Sequence, residues 1–114
     1  RVITSKWIKL EGIFTHFAKA DYAEKADANM QFQIFSNFCR EMENTFDIQI
    51  PLKHCANSAA ALEMPNTHMD LVRIGISTYG LWPSEEIKKA VINIIGEEID
   101  INDDMVKILR KEQQ

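Results

Sequence analysis

The sequence predicts an α/β fold of parallel βαβ units, and three observations carry that prediction. Segments of strand character alternate with helical ones in the order strand, helix, strand, short helix, strand, helix. Strands separated by helices pair in parallel. The strand segments are nearly continuously apolar, the pattern of strands covered on both faces. With 114 residues, 46% of them hydrophobic and 26% charged, the chain has the composition of one globular domain at most.

The first strand falls on residues 8–17, "IKLEGIFTHF", which is rich in β-branched and aromatic residues. "AKADYAEKAD" is polar and turn-like. From Ala23 to Phe46 the period changes: Phe32, Phe35, Cys39, Met42 and Phe46 recur every three or four residues, which marks an amphipathic helix with these residues as its core stripe. Residues 51–56, "PLKHCA", form a second short strand. Asn57 and Ser58 then start a short alanine-rich helix that Pro65 ends. Residues 70–80, "DLVRIGISTYG", form the third strand. Pro83 and Ser84 open another helix, with Ser84 as N-cap, Glu85 and Glu86 at the positive end of the dipole, and Gly96 as its C-cap. The tail holds a short strand and a short helix capped by Asn102 or Asp103.

Charge and composition exclude several roles. The net charge is −4 and no basic run exists, which argues against nucleic acid as a partner. No apolar stretch reaches the roughly 18 residues of a membrane span, and no signal peptide is visible. Two cysteines, Cys39 and Cys55, read as free thiols of a cytoplasmic protein. Three histidines and Cys55 form no close ligand pair of the C-x-x-C or H-x-x-x-H kind, so no metal site is expected. The first residue is Arg rather than Met, which suggests a processed, truncated or excerpted chain.

Arg73 stands out inside the third strand. A buried guanidinium needs partners. In parallel sheets, ligands bind beyond the carboxyl ends of the strands, and the polar residues gather there: Thr15-His16, His54 through Ser58, and Arg73 with Gly75 and Ile76. Ser58 at a helix start offers a hydroxyl to an anion, and Gly75 offers a closely approachable backbone N–H. His54 is placed to orient Arg73. Each residue also has a plain structural reading. Arg73 could pair with Asp70 or Asp21, Gly75 could be a bulge, and Asn57-Ser58 could be only a cap.

Three blocks, "LEGIFTHFAKAD", "KHCANSAAAL" and "DLVRIGISTYGLWPS", in this order and at these intervals, resemble bacterial alanine racemase. The resemblance implies a pyridoxal 5′-phosphate enzyme interconverting L- and D-alanine for cell-wall precursors, with an N-terminal (β/α)8 (TIM) barrel, a mostly β second domain, and a head-to-tail homodimer. It places residues 1–84 as a cofactor-binding part of that barrel, matching its last three strands. Residues 85–114 are a helix and a poorly matched tail. The same resemblance makes Arg73 the donor to the pyridine nitrogen, His54 its hydrogen-bond partner and His16 a residue of the cofactor pocket. Asn57 and Ser58 become cofactor contacts, and Gly75 and Ile76 backbone donors to the phosphate. A guanidinium does not give up its proton, so it leaves the ring nitrogen unprotonated and limits side reactions such as transamination. The family's Schiff-base lysine lies before Arg1 and its catalytic tyrosine beyond Gln114; Tyr22 and Tyr79 do not match it. No catalytic residue is therefore expected here, and the chain alone should be inactive. A serine racemase of the same fold and a non-enzymatic barrel protein that binds the same cofactor are the alternatives.

Overall fold

The computed structural model describes residues 1–99. Its order is β1 (Gly12–Phe14), α1 (Ala26–Phe46), β2 (Leu52–His54), α2 (Ser58–Glu63), 3-10 turns at Pro65–Thr67 and Ile76–Tyr79, and α3 (Glu85–Ile99). β1 and β2 pair in parallel, with Gly12, Ile13 and Phe14 opposite Leu52, Lys53 and His54. A further bond, Thr15 N–H to His54 O at 3.3 Å, carries the pairing one residue past β1. Gly12 permits the close approach, since a Cβ there would stand 2.9 Å from the Leu52 carbonyl oxygen. The first strand is shorter than the predicted 8–17, because β2 is its only partner among the described residues and pairs with just three of its residues.

The third strand is not formed as predicted. Residues 71–75 are irregular, and Ile76–Tyr79 is a 3-10 helix closed by Gly80 in the left-handed region. The segment still follows β2, with Asp70 N–H donating to Lys53 O at 3.1 Å and Arg73 N–H to Ala56 O at 2.9 Å. What breaks the ladder is the Asp70 carboxylate. It accepts the Lys53 N–H at 2.7 Å, the donor a neighbouring strand's carbonyl would otherwise take.

The helices follow local chemistry. The Asn57 side chain accepts the Ala60 N–H at 3.1 Å, and Ser84 Oγ accepts the Ile87 N–H at 3.2 Å, so both predicted N-caps act as such. α1 starts three residues later than predicted, because Lys25 folds its Nζ back onto the carbonyls of Ala20 and Tyr22 and onto Glu63. It ends at Asp47 in the left-handed conformation, which Asp tolerates. Gly96 lies inside α3 and caps nothing. The predicted strand and helix of the tail lie outside the described residues.

The core lies between the helices and one face of the sheet. Phe35 and Cys39 of α1 are buried with Ala28, and Phe32 packs against them; Phe46, expected in the stripe, is about half exposed. Small residues of the second crossover (Ala56, Ala59 and Ala60) let α2 approach α3 through the fully buried Ile87. The opposite sheet face carries Phe14 and Leu52, which are 65% and 43% exposed. Parallel sheets bury both faces, and no described element covers this one. Among the described residues no helix is long and apolar enough to cross a membrane.

Candidate functional site

Alternation along the strands puts Gly12 and Phe14 of β1 and Leu52 and His54 of β2 on the open face, while Ile13 and Lys53 point to the helices. Phe14 and His54 are direct register partners. Their rings stack, with centroids 5.4 Å apart and planes 12° from parallel. The Arg73 guanidinium lies over the Phe14 ring at 5.4 Å, a cation–π placement.

Four groups hold that guanidinium, and none is a carboxylate. Nη1 donates to His54 Nδ1. Nη2 donates to the Thr15 carbonyl at 2.9 Å, with His16 Nδ1 at 3.4 Å and the Cys55 carbonyl at 3.5 Å. Asp70, one of the two suggested acidic partners, is engaged with the Lys53 amide instead. Among the described residues Arg73 makes no salt bridge, and its Nε–H makes no hydrogen bond. The charge is solvated by neutral acceptors and one donor edge is left over.

This arrangement fixes the histidine tautomers. A guanidinium only donates, so His54 Nδ1 accepts and the ring proton sits on Nε2. Burial lowers the His54 pKa, and the Arg73 charge lowers it further, so His54 is neutral near pH 7. The Cys55 thiol beside it is pushed up to about 11, chiefly by burial. It donates to the Thr67 carbonyl at 3.3 Å. That is a packing cysteine, not a nucleophile. Cys39 is likewise free and buried, with its pKa raised by burial.

The second half of the site lies where α2 begins. Ser58, buried, accepts the Gly75 N–H on its Oγ at 2.9 Å and the Ser77 N–H at 3.5 Å. Ser77 Oγ is buried and makes no hydrogen bond. Ile76 heads the 3-10 turn, so its N–H has no partner within that turn. The structure thus brings together two clusters, Arg73 with His54 and His16, and Ser58 with Gly75 and Ile76. Asn57 lies between His54 and Ser58 in the sequence, and its side chain is occupied as the α2 cap.

Sequence reasoning missed three contributors: the Thr15 carbonyl, the Phe14 ring and Gln31. Gln31 Nε2 donates to Thr15 Oγ1 at 3.1 Å and to the His16 carbonyl at 2.7 Å, while Oε1 accepts the Ala18 N–H at 3.2 Å. A signal did exist. Gln31 is three residues after Ala28 and four before Phe35, both buried, so it lies on the core stripe of α1. A polar side chain there needs partners.

The family profile described as alanine racemase, N-terminal domain, matches residues 1–83. The alanine racemase of Methanococcus maripaludis is 48% identical over 87 residues, covering 76% of this chain and 23% of that protein. The one from Desulfosudis oleivorans is 51% identical over 79 residues, covering 69% of this chain and 20% of that protein. Among solved structures, alanine racemase of Clostridium difficile 630 in complex with cycloserine superposes with a TM-score of 0.68 at 36% identity, over 75% of this chain and 23% of that one. The Bacillus anthracis enzyme with bound L-Ala-P gives 0.68 at 38% identity, over 74% and 22%. The chain therefore spans between a fifth and a quarter of the length of these relatives. A parallel α/β arrangement, a profile match over most of the chain and identities near one half together make this chain a member of the alanine racemase N-terminal domain family.

Proposed function

We propose that this chain is a segment of a pyridoxal 5′-phosphate-dependent alanine racemase and forms the cofactor-holding end of its barrel, over the last three strand positions. The observation that carries the reading is Arg73. Its guanidinium is locked by His54, His16 and the Thr15 carbonyl, has no carboxylate partner among the described residues, and keeps Nε–H unengaged. A neutral acceptor such as an unprotonated pyridine nitrogen suits that donor.

The phosphate end fits as well. The orphaned Ser77 Oγ, the Ile76 N–H and the Ser58 hydroxyl form a small polar cluster beside Gly75, and a phosphate would satisfy the buried hydroxyl. Asn57 holds this cluster by fixing the first turn of α2. When bound, the cofactor supplies the electron withdrawal that acidifies the substrate Cα–H. Arg73 moderates it by donating to the ring nitrogen without giving up a proton. His54 and His16, as acceptors, keep the guanidinium from turning away. The groups that move the substrate proton are not among these residues, so this segment binds and tunes. The whole protein would act on alanine as a homodimer in the cytoplasm, with no nucleic-acid or membrane partner and no metal.

Arg73→Glu in the full-length protein tests the reading. A carboxylate would hold the ring nitrogen protonated. The expected result is weaker cofactor binding, slower racemisation, a new long-wavelength absorbance during turnover and more transamination. Unchanged spectra with an unchanged rate would show that Arg73 does not touch the ring. Arg73→Gln, which removes the charge and shortens the side chain without reversing its sign, is the companion should the reversal prevent folding.

A further inference from the structure

We propose that Gln31 is a positioning residue for the Arg73 guanidinium, acting through the turn that follows β1; the consequence for the cofactor rests on the function proposed above. Gln31 sits in the second turn of α1, on the helix layer behind the sheet. Its carboxamide spans Thr15, His16 and Ala18. The bonding pattern sets its orientation without ambiguity. The Ala18 N–H can only donate, so it faces Oε1; the His16 carbonyl can only accept, so it faces Nε2.

The groups Gln31 pins are attached to the groups that hold Arg73. Thr15 is held by its hydroxyl while its carbonyl accepts from Arg73 Nη2 at 2.9 Å. His16 is held by its carbonyl while its Nδ1 faces the same nitrogen at 3.4 Å. The peptide joining Thr15 to His16 is planar, so anchoring both residues fixes the direction of the Thr15 carbonyl. Two of the neutral acceptors around Arg73 therefore take their orientation from one amide on α1. Apart from Arg73, the residue being positioned, no other described side chain bonds to this turn at more than one point. A helix–strand staple needs only one bond; three bonds, to Thr15, His16 and Ala18, specify the shape of the turn.

The test uses the full-length protein with isotopically labelled histidine. Gln31→Leu removes all three bonds. Gln31→Glu keeps the acceptor toward Ala18 and loses the amide donors toward Thr15 and His16. In the absence of cofactor, both variants are expected to shift the His16 and His54 ring signals. The His54 pKa should rise as the guanidinium loosens. The dissociation constant for pyridoxal phosphate should increase about tenfold in Gln31→Leu, the net worth of roughly one hydrogen bond. Histidine signals and cofactor affinity that stay at wild-type values while only the melting temperature falls would overturn the proposal and leave Gln31 a staple. Should Gln31→Leu not fold, unmoved histidine signals in Gln31→Glu overturn it equally. Arg73→Gln separates the two readings. If it leaves the cofactor absorbance unchanged while Gln31→Leu still moves His54, the positioning stands and the ring-nitrogen role fails.

Discussion

Arg73 and His54 form a charged-to-neutral pair across 19 residues of sequence, with Nη1 of the first donating to Nδ1 of the second. The pair works only while His54 stays neutral, because a protonated imidazole has no acceptor to offer. Burial first, and the Arg73 charge second, depress the His54 pKa. Arg73→Gln removes the charge and leaves most of the burial. The His54 pKa is expected to rise toward the ordinary value of about 6.5, read from its ring signals in an NMR titration. A pKa that stays where it was would mean the guanidinium does not sit beside His54.

The same shift has a stability consequence. A histidine whose folded pKa is depressed binds fewer protons folded than unfolded, between the folded pKa and the ordinary one. Its contribution is complete above the ordinary histidine pKa and declines as pH falls from there toward the folded value. Stability of the wild-type protein should therefore fall on acidification below about pH 6.5 more steeply than that of Arg73→Gln. Denaturant midpoints at several pH values check this, and parallel curves for the two proteins would contradict it.

Gly12 yields a packing prediction. A Cβ at this position would lie 2.9 Å from the Leu52 backbone oxygen and 3.2 Å from its Cβ. Backbone cannot yield as a flexible side chain can. Gly12→Ala should cost about 1–3 kcal/mol and displace β1 from β2, carrying Thr15 away from Arg73. The full-length variant should show both a lower unfolding midpoint and weaker cofactor binding. An unaltered midpoint would mean that the two strands are further apart than described.

Legibility in the sequence followed the range of the interactions. The caps at Asn57 and Ser84 were readable because each is settled within three residues. Arg73 was conspicuous as a charge in an apolar run, and the resemblance named its histidine partner, but residues alone left Asp70 and Asp21 open as partners. Among the described residues Arg73 pairs with neither, and Asp70 is taken up by a bond spanning 17 residues, from the Lys53 amide. The third strand was misread for a related reason. Its composition suits a strand, yet a strand exists only with a complete ladder, and Asp70 takes one of the donors. Gln31 resembles any helix glutamine until its contacts 13 to 16 residues back in sequence are known. Gly96 has the look of a stop signal, but α3 continues through it to Ile99.

The 114-residue chain by itself should show no alanine racemisation when supplied with pyridoxal phosphate. Racemisation needs a proton removed on one face of the reacting carbon and returned on the other. The site described here offers a cation, two acceptor histidines and hydroxyls, and the two cysteine thiols are buried with raised pKa values. A chiral assay of the purified chain is the check. Activity that survives rigorous purification would mean that another residue of this chain serves as base.

The open sheet face makes the last prediction, which concerns assembly. Phe14 and Leu52 are 65% and 43% exposed on that face. Asp70 bonds to Lys53 of β2 and Arg73 to Ala56 just beyond it, and among the described residues β1 has only β2 beside it. Exposed apolar surface and unpaired strand edges favour association with another chain. α1 adds Met30, Ile34 and Phe38, each about half exposed or more and spaced four residues apart along one helical line. The isolated chain should therefore self-associate, aggregate or remain partly unfolded at micromolar concentration. Charged substitutions on the open face, Phe14→Lys with Leu52→Lys, should lower the sedimentation coefficient of any oligomer that forms. Sedimentation of the unmodified chain as a stable, compact monomer would count against the proposal that it is one part of a closed barrel.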